Sequence, residues 1–287
     1  MQTVSIVGLG RAGGALAIAL DRAGVRIDYL IYRTDPPVAM SFDPQKLVRF
    51  ESVNAIPSEI LIIATADQDI RATAETLPKT TGLPRVVLHL SGSLSSDELS
   101  NLKESRDVAV GSMHPLIAIS DAELGSEHFS GAYFCLEGEP TALNPAKQLV
   151  EVLGAQHFSI ETSFKPLYHA AAVMASGNVT ALFDAAIEML SACGLPHERA
   201  HRILFPLLQS TVSNLRARST KQALTGPFVR GDAAALERHL DAFEGTIDER
   251  IRSIYLDLAE RSVRLAGGEH MAELLAAITM AKRKNGC

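Results

Sequence analysis

The residues from Val4 to Arg33 constrain this chain more than any others. An apolar run, Val4-Ser5-Ile6-Val7, leads into Gly8-Leu9-Gly10-Arg11-Ala12-Gly13, and a helical pattern follows with Ala12, Ala15, Leu16, Ala19 and Leu20 on one face. A second apolar run ends at Leu30-Ile31-Tyr32-Arg33. Strand, glycine turn, helix and second strand form the context in which G-x-G-x-x-G binds a dinucleotide. Gly8 allows the tight turn, Gly10 lets a pyrophosphate approach the backbone, and Gly13 lets the helix pack on the sheet. The first helical amides, including those of Leu9, Arg11 and Ala12 or their neighbours, then face the phosphates. The alternative is a glycine-rich turn that serves packing only.

The end of the second strand selects between the two nicotinamide cofactors. An acid about 20 positions beyond the glycines would hold the ribose 2′-hydroxyl of NAD, and an Arg accommodates the 2′-phosphate of NADP. Arg33-Thr34 stand there, and the nearest acid, Asp35, is followed by Pro36 in an expected loop. NADP(H) is favoured over NAD(H). An ordinary solvated charge is the plain alternative for Arg33.

Further buried runs follow: Ile60-Leu61-Ile62-Ile63-Ala64, Val86 to Leu90, Val108 to Val110, Ala132 to Leu136 and Gln156 to Ile160, with helical patterns between them. Such runs belong to a parallel sheet covered on both faces. Ala64-Thr65-Ala66 lies at a strand's carboxyl end, where open α/β sheets bind ligands, and is expected to border the cofactor. From Thr162 onward every segment reads as helix. The pattern runs unbroken to Cys193, then covers Glu198 to Arg216, Ala233 to Ala266 and Glu269 to Lys282. Two domains are therefore expected, a doubly wound α/β domain over 1–160 and an all-helical substrate or dimerisation domain over 161–287.

Bulk properties narrow the classes. The net charge of −6 carries no basic block beyond Lys282-Arg283-Lys284, so nucleic acid is not an expected partner. Cys135, Cys193 and Cys287 are odd in number and widely spaced, which argues against a disulfide framework or a structural zinc site. No metal is expected. The chain enters its first strand without a basic, apolar leader, and no apolar run is expected to span a bilayer. A soluble, cytoplasmic protein is the expectation.

Candidate chemistry gathers at three places. Ser91 and His114 follow predicted strands at the edge where the nicotinamide should lie, and a His titrating near neutrality suits the proton that accompanies hydride transfer. Plain turn chemistry for Ser91 and a strand-capping His114 are the alternatives. Lys165, His169, Ala172, Ser176 and Thr180 recur at helical spacing on one face, a candidate substrate wall in which Lys165 and His169 handle charge or a proton. A solvated first turn followed by a core histidine is the alternative there. In Leu224-Thr225-Gly226-Pro227-Phe228-Val229-Arg230-Gly231-Asp232, Thr225 and Arg230 are candidate substrate contacts, Arg230 for an anionic group. Alternatively Asp232 caps the next helix with Arg230 as its salt partner.

Taken together, Gly8 to Gly13, Ser91-Gly92, His114-Pro115-Leu116, Tyr168-His169-Ala170-Ala171-Ala172, Leu224-Thr225-Gly226-Pro227 and Arg230-Gly231-Asp232 resemble the domain-of-unknown-function 2520 family over essentially the full length. The resemblance implies a Rossmann-like domain followed by a helical one like that of 6-phosphogluconate dehydrogenase, a homodimer, and NADP-linked oxidoreductase activity. Ser91 and His114 are similar in place to substrate-contacting residues of prephenate dehydrogenases. Lys165 is similar to the acid or base of β-hydroxyacid dehydrogenases and ketopantoate reductases, with His169 where those enzymes carry Asn. The break at Thr225-Gly226-Pro227 resembles in position the pocket-lining turn of pyrroline-5-carboxylate reductases. The expected activity is hydride transfer to or from a small carbonyl, imine or hydroxy acid bound between the two domains. A non-catalytic nucleotide sensor or scaffold and a deazaflavin-linked NADP oxidoreductase are the rivals.

Overall fold

The computed structural model describes residues 2–34, 42–77, 82–105 and 108–283. Asp35, Pro36, Pro37, Pro78, Lys284 and Cys287 lie outside these residues. The chain divides into two compact units, 1–176 and 177–287. The first therefore continues past the expected boundary at 160, because Lys165, in the helix that follows the last strand, is buried inside it.

The first unit holds one eight-stranded sheet in the order β3-β2-β1-β4-β5-β6-β7-β8. Its strands are β1 (Thr3–Val7), β2 (Arg26–Tyr32), β3 (Leu47–Arg49), β4 (Ile60–Ile63), β5 (Val86–His89), β6 (Ala109–Pro115), β7 (Tyr133–Gly138) and β8 (Gln156–Phe158). Its helices are α1 (Arg11–Arg22), α2 (Ile70–Thr76), α3 (Ser100–Ser105), α4 (Ala122–Ser126), α5 (Pro140–Val152) and α6 (Lys165–Ala175). All pairings are parallel except β6 with β7, which run antiparallel from Gly111↔Gly138 to Pro115↔Phe134. That pairing extends β6 through His114, so the histidine stands on the strand and not after it.

Alternation along the buried strands explains the double winding. Val4, Ile6, Ile60 and Ile62 pack with Leu16 and Leu20 of α1 and Leu149 of α5 on one face. Val7, Leu61 and Ile63 pack with Ile70 and Ala74 of α2 on the other. Burying one such side chain stabilises the fold by about 1.5–3 kcal/mol. The strand order reverses between β1 and β4, and that switch point is where an open α/β sheet forms its ligand crevice.

The second unit is helical: α7 (Gly177–Ala192), α8 (His197–Ala217), α9 (Thr220–Ala223), α10 (Pro227–Arg230), α11 (Ala233–Phe243), α12 (Glu249–Ala266) and α13 (Met271–Arg283). Leu236, Leu256, Val263, Leu274 and Ile278 form the core of its last three helices. Buried Arg252 ties α12 to α13 by donating to the Ala281 carbonyl at 3.3 Å. The run expected as one helix over 162–193 breaks at Ser176, whose φ of −127° and ψ of −79° leave the helical region. The span expected over 233–266 breaks around Gly245, which takes a φ of +67°.

Candidate active site on the carboxyl edge of the sheet

The glycine turn closes by contact with β4. A Cβ on Gly13 would lie 2.0 Å from the Gly8 carbonyl oxygen, and one on Gly8, at φ +92°, 2.9 Å from the Ala64 carbonyl and the Thr65 amide. A Cβ on Gly10 would meet no atom of the described residues within 4 Å. It is the glycine left open to a ligand. Gly10 is also the N-cap of α1, with no side-chain cap and no acid in the first turn, so the helix presents bare amides and a positive dipole end.

A cavity of about 470 Å³ stands in front of this turn. It brings together Gly8, Leu9, Gly10, Arg33 and Thr34 with Ala64, Thr65 and Ala66. Arg11, Ala12 and Gly13 lie just behind, in the start of α1. The buried hydroxyl oxygen of Thr65 has no hydrogen-bond partner among the described residues, as expected of a wall that awaits a polar ligand. The Arg33 guanidinium lies 4.2 Å over the Phe50 ring and donates to Thr76 Oγ1 at 3.5 Å. These features fit a dinucleotide phosphate at the helix end. Asp69 also lines the cavity, a carboxylate that the spacing rule does not reach because it follows β4 and not β2.

Further along the same edge, β5 and β6 supply a second cluster. His114 Nδ1 lies 2.6 Å from the Tyr168 hydroxyl, and its ring meets that of His169 edge to face at 5.9 Å between centroids. Gly92 fits against both imidazoles, since a Cβ there would be 2.7 Å from His114 Nε2 and from His169 Cδ2. Burial, then electrostatic interaction with His169 and Lys165, push His114 down to about 4. This corrects the expectation of a histidine titrating near neutrality: at pH 7 His114 is uncharged. Burial raises the Tyr168 phenol, so we assign its hydrogen to the bond with Nδ1, which leaves the imidazole hydrogen on Nε2.

The other expected catalytic groups are placed differently. Ser91 Oγ donates to Asp67 Oδ2 at 2.9 Å and accepts from the amides of Ser93 and Leu94 at 3.2 and 3.0 Å. Its hydroxyl is committed to the turn, which is the plainer of its two readings. Lys165 does not face the edge. Its side chain is fully buried, with Nζ on Ser112 Oγ at 2.5 Å, on the Ser91 carbonyl at 3.3 Å and 3.7 Å from Glu137. His169 stays half-buried beside His114. The polar stripe does not persist as one face, because the helix breaks at Ser176, whose hydroxyl bonds the Ala172 carbonyl.

In the second unit, Arg230 is exposed and lines a cavity of about 480 Å³ with Gly231, Gly267, Gly268 and His270. Asp232 caps α11 through the Ala235 amide at 2.9 Å, so that part of the capping alternative holds. Thr225 is exposed just before α10. A cleft of about 1460 Å³ opens among Ser58, Glu59, Pro84 and Arg85 at the amino ends of the strands, the wrong edge for an α/β ligand site.

Glu137 and His89 are the neighbours that residue patterns do not single out, while Tyr168 and Asp67 stand in stretches the sequence marks without giving either a role. Tyr168 stands one position before the predicted His169, and the bond to His114 gives it a role. Among the described residues no group of three or more potential ligands could hold a metal ion. Among them too, the helical run 162–192 is long and apolar enough to cross a membrane by length and composition, contrary to expectation.

Residues 132–262 match the family described as "Domain of unknown function (DUF2520)". No curated protein matches the sequence. Among solved structures, protein TM1727 from Thermotoga maritima superposes with a TM-score of 0.72 at 22% identity, over 92% of this chain and 98% of that one. Protein BF3122 from Bacteroides fragilis, described as a candidate NADP oxidoreductase, gives 0.73 at 19% identity over 92% and 98%. A Plasmodium falciparum pyrroline carboxylate reductase with NADP bound gives 0.58 at 14% identity over 93% and 98%. The fold these structures share with the chain is a Rossmann-type sheet domain followed by a helical region, as the sequence predicts.

Proposed function

On the premise that this chain carries a domain of the DUF2520 family, we propose that it is an NADP(H)-dependent oxidoreductase acting on a small carbonyl, imine or hydroxy-acid substrate. The carrying observation is the cavity at the β1–β4 switch point, with open Gly10, the bare end of α1, Thr65 Oγ1 without a partner among the described residues, and Arg33 around one space. The likeness to an NADP-bound pyrroline carboxylate reductase supports the reading and favours a C=N bond among the candidate substrates.

Gly10 and the α1 amides would hold the pyrophosphate, Arg33 and Thr34 the 2′-phosphate. Bound there, the reduced nicotinamide supplies a hydride. β1, β4, β5 and β6 are neighbours, so about 14 Å, three interstrand steps, separates the glycine turn from His114. An extended dinucleotide that runs along this edge reaches the Gly92–His114 cluster. Uncharged His114, with Tyr168 on Nδ1, offers an Nε2 hydrogen to the substrate heteroatom and polarises it. A carbonyl oxygen or an unprotonated imine nitrogen has the lone pair that accepts this bond, whereas an imine that arrives already protonated has none and takes the hydride without an acid. A second reading, NAD(H), is favoured by Asp69 alone, as a partner for the ribose hydroxyls.

The chain is proposed to work as a homodimer. Leu167, Met174, Leu182, Phe205, Leu207 and Val212 on the 162–217 helices are 43–68% exposed, more apolar surface than a soluble monomer usually shows. Sedimentation should give a dimer at micromolar concentration; monomer alone overturns it. The cofactor assignment is tested by titrating wild type and Arg33→Ala with NADPH and NADH, following nicotinamide fluorescence. NADPH should bind at least tenfold tighter, and Arg33→Ala should erase that preference. Equal affinities in the wild type refute it.

A further inference from the structure

Lys165 and Glu137 form an ion pair that the sequence reading does not contain. Glu137 stands opposite Ser112 in the β6–β7 register, 7% exposed, and Lys165 is 0% exposed. Neither can meet a substrate, so neither is a catalytic acid. Their contacts instead converge on one turn. Lys165 Nζ holds the Ser91 carbonyl, before Gly92, while Glu137 accepts from the Ser96 amide at 2.9 Å and the Ser96 hydroxyl at 2.7 Å. Both ends of the segment 91–96 are gripped. The Ser112 hydroxyl, two residues before His114, accepts from Lys165 and donates to Glu137 at 3.3 Å, and Thr162 Oγ1 donates to Glu137 at 3.3 Å. Beneath the turn, His89 accepts from the Ser91 amide and bonds the Ser95 carbonyl.

We propose that Lys165 and Glu137 are positioning residues for His114: the pair locks the 91–96 turn and β6 together so that Gly92 stays seated on the imidazole. A buried ion pair is a poor source of stability beside well-packed apolar side chains, whereas its hydrogen bonds are directional. Direction is what the contact of Gly92 with His114 Nε2 requires, because no slack remains there for a methyl group. The groups that face His114 are His169 and Tyr168 from α6, Lys165, Asp67 and His89. Burial of the ring is the largest cause of its low titration point, and Gly92 of the turn is one of the groups packed against it.

The inference deepens the reading of His114 as a reacting group, but its test needs no substrate. The full-length protein, labelled with ¹⁵N-histidine, is titrated by NMR as wild type, Lys165→Met, Glu137→Gln and the double variant. A loosened turn admits water, so both single variants should raise the His114 midpoint by one pH unit or more toward its ordinary value. Through-space charge alone would move the two in opposite directions, up for Lys165→Met and down for Glu137→Gln, and that outcome overturns the proposal. In the double variant the charges cancel. A raised midpoint there supports positioning, and an unchanged one overturns it. Loss of fold in all three variants overturns it too, since the pair would then hold the domain and not the turn. NADPH affinity on the same samples should change less than twofold. Failure of the wild type to bind NADPH would sink the proposed function and leave the His114 result standing.

Discussion

The two ends of the sheet's carboxyl edge are built by opposite means. At β1 and β4 the site is backbone: two glycines fitted against a neighbouring strand, a third left open, a helix end without a cap. At β5, β6 and β7 it is side chains, with an imidazole, a phenol and a second imidazole over a buried ion pair. The first design needs only small residues in a row and tolerates a solvated arginine beside it. The second needs groups from four separate segments in one place, and each depends on the others. Damage should therefore stay local at the glycine turn, apart from the two fitted glycines, and spread at the histidine cluster.

The largest break is expected at the buried pair. Glu137→Ala leaves the Lys165 ammonium without its counter-charge and should cost about 3–5 kcal/mol in urea unfolding. Gly13→Ala comes next, at about 3 kcal/mol, because its Cβ would sit 2.0 Å from a backbone oxygen. A Gly13→Ala protein as stable as wild type would refute the fitted turn.

The histidines sharpen the comparison through pH. His89 and His114 are both held at about 4, chiefly by burial, against an ordinary 6.5. Between those values the unfolded chain binds protons that the native one refuses. Stability is therefore full above pH 6.5 and falls as pH drops toward 4, by up to about 3 kcal/mol per histidine. Urea midpoints at pH 7, 5.5 and 4.5 should decline steadily, and His114→Gln should flatten the slope. The smallest effect on the fold belongs to Gly10→Ala, less than about 0.5 kcal/mol, since nothing lies within 4 Å of the added methyl. Yet NADPH should bind at least tenfold more weakly. Unchanged affinity would mean that the pyrophosphate lies elsewhere.

What the sequence discloses follows the same division. The strand-turn-helix pattern and its cavity were legible because each requirement is local: φ at Gly8, close packing at Gly13, Arg33 at a strand end. His114 was legible as a residue but not in its charge state, which comes from burial and from His169 and Lys165. Lys165 is expected on a substrate wall but lies buried, because helical spacing gives a face and not what covers it. Its cover, Glu137, lies 28 positions away in a strand that alternation alone describes as apolar. The break at Ser176 has no glycine or proline at the position itself to announce it, although Gly177 follows.

The claim on which the rest depends is that one bound dinucleotide spans the edge from Gly10 to His114. It can be read directly by titrating labelled protein with NADPH and following the Gly10 amide and the His114 imidazole in the same spectra. Both signals should move and saturate with a single affinity. If Gly10 moves and His114 stays still, the nicotinamide does not reach the histidine cluster, and the catalytic reading of that end is contradicted.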